Sequence, residues 1–173
     1  KCRRVGIFIS GNAKPAILDY VFVQNASAGL VMARHSKGEI LRNVMQRNSI
    51  GIAMSDFSAP LVANNKLSEN RIAMAISREA RPVLRYNLIA DNSSGGLLLN
   101  GSSTPDFGNS QDPAGNIFRD NNEYDVQNTT SVKLVSAGNL LNPALAKGLI
   151  DFVATTIDNP RELSVNSSFP DLN

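Results

Sequence analysis

Residues 51–70 read Gly51-Ile52-Ala53-Met54-Ser55-Asp56-Phe57-Ser58-Ala59-Pro60-Leu61-Val62-Ala63-Asn64-Asn65-Lys66-Leu67-Ser68-Glu69-Asn70. Within this stretch three short runs carry an apolar residue at every second position, the period of a strand rather than a helix. Gly, Pro and Asn punctuate the runs. The pattern recurs about every 22 residues, first around Gly6 and Gly29, then around Ala73 and Gly96. At this period Asn43, Asn65 and Asn87 share one column, and Asn48, Asn70 and Asn92 share a second, five residues later each time. A fifth unit is about six residues longer, around Gly108 to Gly115, and carries the columns on to Asn116 and Asn121. A weaker sixth turn has Tyr124, Val126, Leu134, Asn139 and Leu141.

Three short strands per repeat, stacked on their equivalents at about 4.8 Å, describe one coil of a single-stranded parallel β-helix. One coil cannot bury its own apolar face, and stacking makes the core continuous. The expected fold is all-β, with five to six coils and inward columns such as Ile7, Leu30, Ile52, Met74 and Leu97. Both asparagine columns read as structural ladders. Asn tolerates the left-handed backbone of a sharp corner, and its amide can donate and accept along a stack. Pro15, Pro60, Pro82 and Pro105 form a further column that fixes φ at a turn.

The coils occupy residues 1–142 in this reading, and residues 143–173 form a cap. Asn142-Pro143 is a helix-start signal, and Leu145, Leu149, Phe152, Val153 and Ile157 recur at helical spacing. The expectation is a helix over 143–157, then a short strand at Glu162–Val165. The first rung has no such cover, so further rungs or a docked partner are expected before Lys1.

The whole pattern resembles the right-handed parallel β-helix superfamily that includes pectate lyases. Within it, the chain is most similar to β-helix proteins with the periplasmic copper-binding repeat of nitrous-oxide reductase maturation, and to a related bacterial domain of unknown function. The residues that carry the likeness are Gly51-Ile52-Ala53-Met54, Pro60, Asn65-x-Leu67-x-x-Asn70 and Asp106-Phe107-Gly108 to Asn116-Ile117-Phe118-Arg119. The tail adds Asn139-Leu140-Leu141-Asn142, Ile157-Asp158-Asn159-Pro160, Val165 and Ser168-Phe169-Pro170. Leu140 and Leu141 stand where such proteins often carry tryptophans. The resemblance implies the fold; the superfamily contains lyases, hydrolases, epimerases, tail spikes, adhesins and scaffolds, so it names no reaction.

Composition narrows the functional classes. The formal charge is +2, with 17 basic and 15 acidic residues interspersed, which gives no case for nucleic acid or an anionic membrane. No apolar run approaches the roughly 20 residues of a membrane span. The single cysteine, Cys2, has no partner in the chain. The most site-like group is Arg34, Asp56 and Arg78, which fall at equivalent positions of adjacent rungs. They could serve a lyase as base and cations, or form a surface ion-pair ladder. His35, the one histidine, sits beside Arg34. Copper wants several His, Cys or Met donors together, whereas Met32, Met54 and Met74 align nearly in an inward column, where Met fills gaps. Lys14, Lys37 and Arg81 share a column broken by Ala59 and could touch an acidic polymer. Asp106 and Asp112 flank the longer loop and could bind a ligand, calcium included, although no calcium spacing is present. Five Asn-x-Ser/Thr triplets begin at Asn25, Asn92, Asn100, Asn128 and Asn166.

No other cofactor or metal is implied. The residues point to a non-catalytic module of an exported or cell-surface protein, in the extracellular space, on the surface or in the periplasm. Such a module acts as a rigid scaffold or binds a polysaccharide or protein along its side. A lyase or hydrolase of acidic polysaccharide, and a structural subunit docking through its first rung, are the alternatives.

Overall fold

The computed structural model describes residues 4–156. The strands Val5–Ile9, Ala28–Met32, Ile50–Met54, Ile72–Ile76, Gly95–Leu99, Tyr124–Asn128 and Ala146–Gly148 form one seven-stranded sheet. A second sheet stacks Ala16–Leu18, Glu39–Leu41, Leu61–Ala63 and Val83–Arg85. The third stacks Val21–Val23, Val44–Gln46, Lys66–Ser68, Leu88–Ala90 and Ile117–Arg119. Leu134–Ala137 and Ile150–Val153 make a separate pair. Every pairing is parallel. The chain therefore winds through about seven turns, one more than the repeats predict.

The core is a narrow apolar shaft between the sheets. Ile7, Leu30, Ile52, Met74, Leu97 and Val126 stack in register, and all but Ile7 are fully buried. A second inward column runs Ile9, Met32, Met54, Ile76, Leu99 and Asn128. Met74 belongs to the first of these columns, as its spacing predicts, and Met32 and Met54 stack in the second. Each such aliphatic side chain contributes roughly 1.5–3 kcal/mol by leaving water.

The corners correct the expected role of asparagine. Left-handed backbone is needed there, but it falls on the residue before each ladder Asn: φ is 55° at Arg42, 54° at Asn64 and 53° at Tyr86, and 55° at Arg47 and Glu69 and 56° at Asp91. No ladder Asn among the described residues has a positive φ. The physical reason is that the Asn must point its own N–H down the stack, so the bend is completed one residue earlier. Among the described residues, twelve non-glycine residues hold this conformation, each at a cost of about 1–2 kcal/mol. The ladder bonds offset that cost, so residue types ill suited to the conformation, Arg and Tyr among them, occupy the corners.

Ser36 and Ser58 lie in one inward column with Ala80, all three fully buried. Neither hydroxyl has a hydrogen-bond partner among the described residues. A buried unpaired hydroxyl costs about 1–3 kcal/mol, and Ala80 shows that a methyl fits. Ser58→Ala is therefore expected to raise the urea midpoint by the equivalent of about 1 kcal/mol; a lower midpoint would refute the account.

The C-terminal reading needs the largest correction. Asn142 does cap a turn, with its side chain accepting from the Ala144 N–H at 3.0 Å and Pro143 following. The helical portion is a single 3-10 turn, Pro143–Leu145. Residues 146–153 then continue the solenoid as two strands, where a helix over 143–157 was expected. Gly148, at φ +94°, breaks helical spacing, and a Cβ there would stand 2.0 Å from the Asn128 carbonyl oxygen. The open edges of Tyr124–Asn128 and Leu134–Ala137 supply backbone partners that an isolated short helix could not match. The remaining part of the expected cap, including Glu162–Val165, lies outside the described residues.

Candidate functional site

The ladders are the chemical spine of the coil and leave little of their polarity free. The Asn65 Oδ1 accepts from the Asn43 N–H at 2.9 Å and from Asn43 Nδ2 at 3.1 Å. Its Nδ2 donates to Ile40 O, Ala63 O and Asn87 Oδ1. The first column runs Asn43, Asn65, Asn87, Asn116 and Asn139. The second runs Asn25, Asn48, Asn70, Asn92 and Asn121. Sequons at Asn25 and Asn92 are therefore consumed by the fold, and Asn128 is buried and bonded to Thr130, Val132 and Leu149. Asn166 lies outside the described residues.

One surface that remains available is the outer face of a corner. Arg34, Asp56 and Arg78 occupy successive left-handed positions with φ of 57°, 58° and 58°, as their spacing predicts. They do not form an alternating charge ladder. The Asp56 carboxylate accepts from the backbone N–H of Arg34 at 2.9 Å and from the Arg78 guanidinium. The Arg34 N–H first, and Arg78 second, hold the Asp56 carboxyl below its ordinary range. Next to them the His35 and Phe57 rings stack at 5.0 Å and 9° between planes. Phe57 is 49% exposed, and the Arg78 side chain is 75% exposed. With Glu79 they border a shallow depression of about 210 Å³.

Lys14, Lys37 and Arg81 do share a column, interrupted by Ala59, through the backbone bonds of Lys37 to Ala13, Ala59 to Ser36 and Arg81 to Ser58. All three cations are exposed. Asp106 and Asp112 are turned elsewhere. Both carboxylates meet Arg85 Nη2, at 2.9 and 2.6 Å. Arg85 also donates to the Leu84 and Asp106 carbonyls. Burial opposes its charge, but the hydrogen bonds and charges of Asp112 and Asp106 prevail and raise its pKa. The oxygens considered for calcium or ligand binding thus face a guanidinium, and among the described residues no three acidic, His or Cys groups converge on a metal position. Repeat spacing gave no sign of Arg85, because its column partners Leu41 and Ala63 are apolar.

The longer loop also opens a cleft of about 360 Å³ between the fifth and sixth turns. Its floor is formed by Leu99, Phe107 and Leu134, and Asn109, Val132 and Lys133 stand around it. Sequence repetition could not reveal it, since it lies where repetition stops.

The parallel coils, the ladders and the in-register columns meet the description of one known family. The family model for the right-handed beta helix region matches residues 1–141. The chain belongs to this family. No curated protein and no solved structure matches it. A right-handed β-helix of this kind is a scaffold or binding module in general terms, a rigid rod whose flat sides and corners present side chains at fixed intervals. Among the described residues, no helix is long and apolar enough to cross a membrane.

Proposed function

We propose that the chain is a rigid, non-catalytic module of an exported or cell-surface protein that binds an acidic glycan along its Arg34–Asp56–Arg78 corner. The observation that carries this reading is the exposed Phe57 ring stacked on His35 beside the largely exposed Arg78. An aromatic face offers apolar contact to a sugar ring, and a guanidinium can take a carboxylate through paired hydrogen bonds. Asp56 supports binding over elimination. Its carboxyl is held low by the Arg34 N–H and Arg78, and a proton-abstracting base works best with a pKa near the operating pH.

Titration of polygalacturonate against the chain, with a neutral glucan as control, tests the proposal. Phe57→Ala and Arg78→Ala are each expected to weaken polygalacturonate binding about tenfold, roughly 1.4 kcal/mol. Unchanged binding in both variants would refute the corner as the site. Appearance of unsaturated uronate ends, abolished by Asp56→Ala, would replace the binding reading with a lyase.

A further inference from the structure

The regular coils are joined by a fixed set of backbone bonds just after the long strand. Between the fourth and fifth turns these are Asn100 to Ile76, Ser102 to Arg78, Thr104 to Ala80 and Asp106 to Pro82. The third and fourth turns repeat them with Ser77 to Met54, Glu79 to Asp56, Arg81 to Ser58 and Val83 to Pro60. Among the described residues the first two turns lack only the bond of His35 to Gly11, and a longer break comes later. Between the fifth and sixth turns, Thr129 donates to Leu99, and the next bond of the row is Ala137 to Phe107 at 3.3 Å. The sixth turn instead curls on itself, with Asn128 and Thr130 bonding each other and Val132. The carbonyls of Gly101, Ser103 and Pro105, which stand where Arg78, Ala80 and Pro82 receive donors, receive none among the described residues.

Two of these acceptors, Ser103 and Pro105, line the 360 Å³ cleft at alternate residues, whereas Gly101 stands in the turn before them at φ 66°. Alternate residues of an extended chain repeat at about 6.7 Å, the spacing at which a parallel strand presents its N–H groups. Sugar hydroxyls do not keep this period. The floor is apolar, with Leu99 and Phe107 1% and Leu134 5% exposed. Lys133 is exposed on the rim, and among the described residues it has no ion pair. Arg85 ties down both Asp106 and Asp112, so the loop that keeps the cleft open is braced.

We infer that this cleft takes an extended peptide segment of a partner protein, which adds as a short parallel strand. Its backbone N–H groups donate to the Ser103 and Pro105 carbonyls, an apolar side chain enters the floor, and an acidic side chain meets Lys133. This site lies outside the corner assigned to glycan and does not depend on that assignment.

The probe is a labelled, end-blocked six-residue peptide of alternating valine and threonine with one glutamate, titrated into the full chain by fluorescence anisotropy. Saturable binding is expected. A twin peptide N-methylated at alternate amides keeps its side chains but loses the donors, and it is expected to bind at least about tenfold more weakly. Val132→Trp, at a position 41% exposed, fills the cleft and is expected to cause a similar loss with an unchanged far-ultraviolet spectrum. Lys133→Glu is expected to cause a smaller, salt-sensitive loss. Absence of saturation, equal binding of the methylated twin, or uptake of a neutral oligosaccharide in its place would overturn the inference. So would self-association of the chain that Val132→Trp removes, since the occupant would then be a second copy.

Discussion

Asn65→Asp is expected to unfold the third coil at neutral pH, although it exchanges one planar group for another of nearly equal size. Asn65 is fully buried. Its Oδ1 accepts two bonds, a role a carboxylate oxygen fills equally well. Its Nδ2 faces only acceptors: Ile40 O at 2.8 Å, Ala63 O at 3.1 Å and Asn87 Oδ1 at 3.0 Å. The aspartate places a second oxygen against these three and buries a charge that none of them can neutralise. The cost is on the order of 4 kcal/mol or more, a large part of the 5–15 kcal/mol that holds a domain folded. Asn65→Ala creates no repulsion but strands the same donors and acceptors, and about 2–3 kcal/mol is expected.

The two variants separate further by pH. Burial raises the folded-state pKa of the new carboxyl above its unfolded value. Its penalty is therefore small below the unfolded pKa and grows as pH rises through that value toward the folded one. Asn65→Asp should accordingly recover stability between about pH 7 and pH 4 relative to Asn65→Ala. Because coils contact only their neighbours, hydrogen exchange of residues 40–70 is the direct readout, supported by urea titration. Equal protection of Asn65→Asp and the parent chain at pH 7 would show that the amide column is not what holds the coils.

The sequence revealed these ladders because a single residue type recurs at one spacing where its chemistry has few substitutes. The inward columns were legible for the same reason, at period two. The corners were not. Arg42, Tyr86 and Glu69 carry left-handed backbone that their side chains do not favour, and the constraint comes from the neighbouring Asn. Arg34, Asp56 and Arg78 were correctly placed together by spacing, but which atom of Arg34 meets Asp56 depends on the backbone and proved to be the N–H. The helical spacing of Leu145, Leu149 and Phe152 was outweighed by the open strand edges beneath them. Arg85 and the cleft occur once each, and a reading built on repetition has no purchase on single events.

Asp125 is another such event, and the second large effect is expected there. In register it stands where earlier coils have Gly96, Ala73 and Gly51, and it is 2% exposed. It ends the second ladder. Each Asn hands a donor to the next until Asn121, whose Nδ2 donates to Asp125 Oδ1 at 2.9 Å. The other oxygen accepts from the Asn142 N–H at 2.8 Å. A carboxylate accepts from both sides and has nothing further to give, so the column can stop without an orphan. It also fixes Asn142, whose side chain starts the turn into the last coil.

Asp125→Asn turns an NH₂ toward one of these donors, and Asp125→Ala leaves both without an acceptor. Losses of about 2–3 kcal/mol are expected for each, or roughly 4–12 °C in melting temperature for a chain of this size. Faster hydrogen exchange should be concentrated in residues 139–153. Asp120→Asn, at an exposed corner with φ 53°, is the matched control and should stay within about 0.5 kcal/mol of the parent. If Asp125→Asn melts with that control, the ladder needs no acceptor-only terminus. The last coil would then be held by its strand pairing alone.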